Sequence, residues 1–121
     1  MEHQKVTHYK VGKVHTDYIM ETLPPTDCGL SRKRVLRVST SKSSRHKGMV
    51  ETLASVCVQE ETGRGYVTET HAIYSDLMVR VAEVPMPRVT DKKLSEAHNK
   101  AMEGFDDILY TAEQFYANKA A

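Results

Sequence analysis

Up to about Pro87 the chain alternates apolar and polar residues with a period of two, and beyond it apolar residues recur three and four apart. Successive side chains on a strand point to opposite faces, so the first pattern predicts half-buried strands and the second predicts amphipathic helices. Tyr9–Glu21 reads as one or two strands with a turn near Gly12–Lys13, and Pro24, Pro25, Asp27 and Gly29 then break the chain into a loop. Leu36, Val38 and Thr40 alternate with Arg37 and Ser39 and run into a Ser-rich tip. From Met49 to Gln59, Val50, Thr52, Ala54, Val56 and Val58 share one face, and Glu51, Leu53, Ser55 and Cys57 share the other. Glu61–Gly65 carries two glycines and reads as a turn. Tyr66–Ile73 and Leu77–Val84 form either two strands or one long strand. The register favours one, with Leu77, Val79 and Val81 opposite Tyr74, Asp76, Met78 and Arg80.

Pro85 and Pro87 end the sheet, because proline has no N–H to donate to a ladder. Thr90 or Asp91 caps a helix with the stripe Leu94, Ala97, Ala101 and Met102. Gly104 is its weak point, and Phe105, Ile108, Leu109, Ala112, Phe115 and Tyr116 mark a second helical segment. The expected fold class is α+β: an antiparallel meander of five to seven strands followed by one kinked C-terminal helix or two short ones. Residues 1–121 make one domain, with a β-sheet region over 1–87 and a helical region over 90–118. Roughly 28 helical residues cannot cover the apolar face of such a sheet, and they are themselves rich in large apolar side chains. Both surfaces would be buried in an interlocked dimer, each subunit's helices lying across its partner's sheet through Leu94, Ala101, Phe105, Ile108, Leu109 and Phe115.

Charge changes this picture locally. The chain has 121 residues and a net charge of only +1. Yet Arg32–Lys47 holds seven Lys or Arg and no acid, while Glu103, Asp106, Asp107 and Glu113 gather near the other end. The basic tip is either a solvated turn or a surface for a polyanion. Cys28 and Cys57 form no CxxC pair and no zinc set, which suits a reducing compartment. The N-terminal MEHQKVTHYK has no apolar core of a signal peptide, and no apolar run reaches membrane-spanning length, so neither a cleaved signal nor a membrane partner is expected.

No catalytic signature is present: there is no GxSxG, no phosphate loop ending in GK and no HExxH. The six histidines are dispersed, and His71 near Glu69 reads as part of an ordinary polar strand face. Asp106 and Asp107 are neighbours on a helix and point apart. The expectation is a non-enzyme with no cofactor and no metal. Nucleic-acid binding has better ingredients. Arg45 and Lys47 are charged donors, His46 could stack or donate, and Arg37 and Lys42 extend the basic block. Tyr74 is either a ring for an unstacked base or a half-buried strand aromatic, and Asp76 could accept from a base amino group.

Taken together, the segments Arg37-Val38-Ser39-Thr40-Ser41, Ser44-Arg45-His46-Lys47 and Ile73-Tyr74-Ser75-Asp76-Leu77 resemble the coat proteins of the single-stranded RNA bacteriophages, the leviviruses, in their Q-beta-like form. Val11-Gly12-Lys13 and Leu23-Pro24-Pro25 are similar to that family's N-terminal hairpin and its exit. The similarity runs from about Val11 to Ala112 and is carried by order and spacing rather than by any one motif. It implies a dimer in which one antiparallel sheet crosses both subunits and the helices interlock over its outer face. Such dimers close an icosahedral shell, assembled in the bacterial host cytoplasm and found in the virion capsid. The inner face binds a stem-loop of the viral single-stranded RNA, which packages the genome and represses replicase translation.

Carried to this chain, the resemblance gives Arg45 and Lys47 to phosphate, Tyr74 to stacking on a loop base and Asp76 to positioning it. The turn Glu60–Gly65 would meet its copies at the symmetry axes. Glu51 departs from the pattern, standing where a basic residue is expected. The positions of Cys28 and Cys57 depart from it as well. Two other readings compete: a small phage or plasmid accessory dimer that inhibits a host protein, and a single-stranded nucleic-acid binder that never assembles.

Overall fold

The computed structural model describes residues 5–25, 27, 29–64 and 67–120, with the side chains of 62–76, 119 and 120 outside the description. Five strands, β1 (Lys5–Lys10), β2 (Lys13–Leu23), β3 (Arg32–Lys42), β4 (Met49–Arg64) and β5 (Val67–Pro85), form one antiparallel sheet. Each strand pairs with the next in the chain, so the sheet is a plain meander. Two helices follow, α1 (Asp91–Met102) and α2 (Phe105–Ala120). The α+β class and the meander are as the alternation predicts.

The β1–β2 hairpin turns through Val11 and Gly12, and Gly12 takes φ +75°, a conformation open to glycine at no steric cost. The region expected as one strand or two after Arg64 is the single strand β5. Its continuity has a cost in regularity, because three register shifts interrupt its pairing with β4. The turn expected over Glu61–Gly65 is corrected: Glu61, Thr62, Gly63 and Arg64 stay in the ladder, paired with Thr70, Glu69, Thr68 and Val67. Pairing with β5 supplies backbone partners that keep this polar stretch extended.

Leu36, Val38, Ala54 and Val56 lie on one face of the sheet, under Phe105 and Ala112 of α2. Val14, Val50 and Met86 pack against Leu94 of α1. Thr90 caps α1, its hydroxyl accepting from the Lys93 N–H at 3.2 Å. Glu103 and Gly104 join the helices through tight turns, their N–H groups donating to Lys100 and Ala101 carbonyls. The helices therefore cover their own sheet. Leu94 and Phe105, expected between subunits, are 1% and 3% exposed inside a single chain. Ala101, Ile108, Leu109 and Phe115 are only half-buried there. A short connection after Pro85 returns α1 across the same sheet, where Leu94 and His98 pack on β2, β3 and β4.

A buried polar chain ties α1 to the sheet. His98, 1% exposed, places Nε2 2.7 Å from Thr16 Oγ1 and Nδ1 2.8 Å from Thr40 Oγ1. Thr16 continues to Thr7 at 2.9 Å and Thr40 to Thr52 at 2.7 Å. Four strands and one helix are thus linked through a single ring.

Candidate nucleic-acid interface

The face turned away from the helices carries His15, Asp17, Lys33, Val35, Arg37, Ser39, Glu51, Leu53, Ser55 and Cys57, as cross-strand register dictates. This same register divides the basic block. Arg32 and Arg34 fall on the helix side with Leu36, Lys33 and Arg37 fall on the open side, and Lys42 sits opposite Val50 on the helix side at an exposed strand end. Arg34 pairs with Glu21 and lies 4.2 Å over the Tyr116 ring, so its charge serves packing. Arg32 donates twice to the Pro24 carbonyl, at 3.0 and 2.9 Å. Arg37 alone of the block reaches the centre of the open face, where it grips Asp17 through Nε at 2.8 Å and Nη2 at 3.1 Å. That bond holds Arg37 more firmly protonated than a free guanidinium and spends two of its donors.

The tip between β3 and β4 is built by its serine. Ser43 Oγ accepts from the Arg45 N–H at 3.2 Å and the His46 N–H at 3.0 Å, and Gly48 closes the turn at φ +79°. Arg45 and Lys47 are exposed and form no ion pair among the described residues. His46 is different: its Nδ1 lies 2.8 Å from Glu83 Oε1 on β5. The hydrogen bond from His46 holds the Glu83 carboxyl below the usual range, helped by the nearby Arg80 and Arg45. Arg80 stands 3.9 Å from Glu51 and 3.8 Å from Glu83. Glu51 does face the open side, but it is 7% exposed and compensated by Arg80. Next to the tip, the surface is therefore of mixed charge.

Tyr74 and Asp76 have side chains outside the described residues. Their backbone positions are clear: Tyr74 pairs with Val58, and Asp76 falls at the register shift between Ser75 and Leu77. The tip adjoins Met49, which pairs with Pro85. Nine residues of β4 separate Met49 from Val58, or ~30 Å at ~3.3 Å per strand residue. One chain does not bring Tyr74 to Arg45 and Lys47. Cys57 is buried and free, its thiol pushed up by burial, while Cys28 lies outside the described residues. Candidate residues His71 and Glu69 likewise have side chains outside the description.

Two groups lie outside what the apolar–polar pattern marks. His98 is one of six histidines scattered along the sequence, and threonines of two strands, Thr16 and Thr40, converge on it. His8, His15 and Asp17 meet on the open face, with donor atoms all within 4.8 Å of one another. A signal for this second group was present, because a two-residue turn at Val11–Gly12 pairs His8 with His15 by counting alone.

No protein-family model, no curated protein and no solved structure matches this chain. A five-stranded antiparallel sheet with two C-terminal helices is compatible with the leviviral coat architecture. Among the described residues no helix is long and apolar enough to cross a membrane.

Proposed function

We propose that the chain is a coat protein of a small single-stranded RNA bacteriophage, which assembles from dimers into an icosahedral shell around stem-loop-bearing RNA. One observation carries the reading: the contrast between the two sheet edges. β1, at one edge, is short and guarded by Lys5 and Lys10. β5, at the other, is 19 residues long and leaves Met78, Val79 and Val84 65%, 39% and 40% exposed. Beside it runs an apolar cleft lined by Leu77, Val79, Val81, Ile108 and Ala112. An unguarded edge of that length, flanked by unfilled apolar surface, is a template for a second strand.

Pairing two copies of β5 about a two-fold axis accounts for the divided site as well. Antiparallel pairing centred near Val79–Arg80 sets Tyr74 of one subunit opposite the Pro85 end of the other, beside its basic tip. Arg45 and Lys47 then meet phosphate beside β5 of the neighbouring subunit, on a layer neither chain builds alone. Many such weak contacts along one RNA drive packaging.

Recombinant protein purified from bacteria is expected to run as particles of megadalton mass in light scattering, with nucleic-acid absorbance. A small oligomer free of RNA at physiological salt would overturn the coat reading. Replacing both Arg45 and Lys47 by Ala should lower the RNA content per particle; unchanged content would remove these residues from the RNA site.

A further inference from the structure

We propose that His8, His15 and Asp17 form a divalent transition-metal site of the zinc class that staples β1 to β2. His8 and His15 are direct cross-strand partners, and Asp17 follows His15 by two residues on the same face. The two rings are stacked with centroids 4.9 Å apart. One donor atom from each of the three residues lies within 4.8 Å of the others. Tetrahedral coordination with ligand bonds of ~2.0–2.2 Å needs donors ~3.4 Å apart, a closure within reach of the exposed His8 ring.

An independent feature points to a ligand. His15 is 6% exposed, yet its Nδ1 is buried without a hydrogen-bond partner among the described residues. Its Nε2 lies 3.9 Å from Asp17 Oδ2, too far for a hydrogen bond. The buried Nδ1 without a partner is an unmet cost of folding, and an ion bound at that nitrogen would remove it. Arg37 also fixes the carboxylate of Asp17 through two hydrogen bonds, one to each oxygen, as the outer partner of a metal ligand does.

The donor set selects the ion. Two imidazoles and one carboxylate suit zinc, nickel or copper; calcium and magnesium ask for oxygen throughout. Three protein ligands leave a fourth position for water. The site also lies where a staple has most effect. β1 is exposed along its whole length and pairs only with β2, and an edge hairpin of this kind gains little from packing.

The test is a calorimetric titration of tag-free, chelator-stripped protein with zinc chloride at neutral pH, with thermal unfolding in parallel. Saturable binding and a raised Tm are expected. His8→Ala, a change at an exposed position, should weaken binding at least by the ~10–100-fold that loss of an outer-shell partner alone costs. His46→Ala, an exposed histidine at the distant tip, should bind as the parent does. Absence of saturable binding, or equal affinity in His8→Ala, would overturn the site. Because the titration reads the same in a monomer, a dimer or a shell, its failure leaves the coat reading untouched, and failure of assembly leaves this site untouched.

Discussion

Replacing His98 by Ala is expected to cost ~3–4 kcal/mol of folding stability, read as a lower urea midpoint at matched protein concentration. Two losses add. The ring leaves a cavity beneath α1, and Thr16 and Thr40 each lose a partner held at 2.7 and 2.8 Å. Both hydroxyls keep a second threonine, Thr7 and Thr52, so the network is shortened rather than orphaned. That sets the estimate below the cost of two unsatisfied buried groups. For a small domain, whose total stability is typically ~5–15 kcal/mol, the change is large.

The same residue imposes a pH dependence with a definite sign. Desolvation lowers the pKa of His98 below the ordinary 6.5. The folded chain therefore resists the proton that the unfolded chain accepts. Stability from this group is whole above pH 6.5 and is lost as pH falls from there through the folded pKa. The slope is ~1.4 kcal/mol per pH unit for one histidine. His15, also lowered by burial, adds to it in the same direction. In His98→Ala only the His15 share should remain. A mutant with parental stability, or with the parental acid slope, would show that the ring is not held as the threonines suggest.

Val79→Asp is expected to abolish assembly and leave folded single chains. Val79 is 39% exposed in the chain and lines the cleft beside α2 with Leu77, Val81 and Ile108. In the isolated subunit the new carboxylate reaches water, so folding should change little. Across a β5–β5 junction centred near Val79–Arg80 the two new carboxylates would be stripped of water close to each other at the two-fold axis, and Asp107 already borders the cleft. Burying an unpaired charge costs several kcal/mol, and a two-fold axis imposes the cost twice. A micromolar dimer rests on only about 8 kcal/mol. Light scattering should therefore show monomer mass with unaltered circular dichroism. Particles of parental mass and yield would rule out the free edge of β5 as the junction.

The faces of β3 and β4 were legible in the chain because alternation is local. Once Leu36, Val38 and Thr40 share a face, Val35, Arg37 and Ser39 must share the other. The division of Arg32, Lys33, Arg34 and Arg37 between two faces follows from the same rule, although the unbroken run of charge suggests one basic surface. His8 and His15 needed one fact more, the length of the turn at Gly12. Val11 and Gly12 alone form that turn, and the pairing then follows by register. The helix assignments were equally local, resting on the cap at Thr90 and on apolar residues three and four apart.

His98 was of another kind. Thr16 and Thr40 lie 82 and 58 residues from it, and no period links a helix position to a hydroxyl on a strand that far away. Which sheet the helices would cover was equally hidden, since an amphipathic stripe specifies that a face is buried but not by which surface.

By itself the sequence determined the elements, their order and the two faces of each strand, because backbone geometry ties these to residue spacing within a few positions. Only the tertiary structure decided that the helices close over their own sheet, that Arg37 is bound to Asp17, and that the tip and Tyr74 stand far apart in one chain. Those outcomes depend on which distant surfaces meet, and contact between distant surfaces is settled by packing and burial summed over the whole molecule.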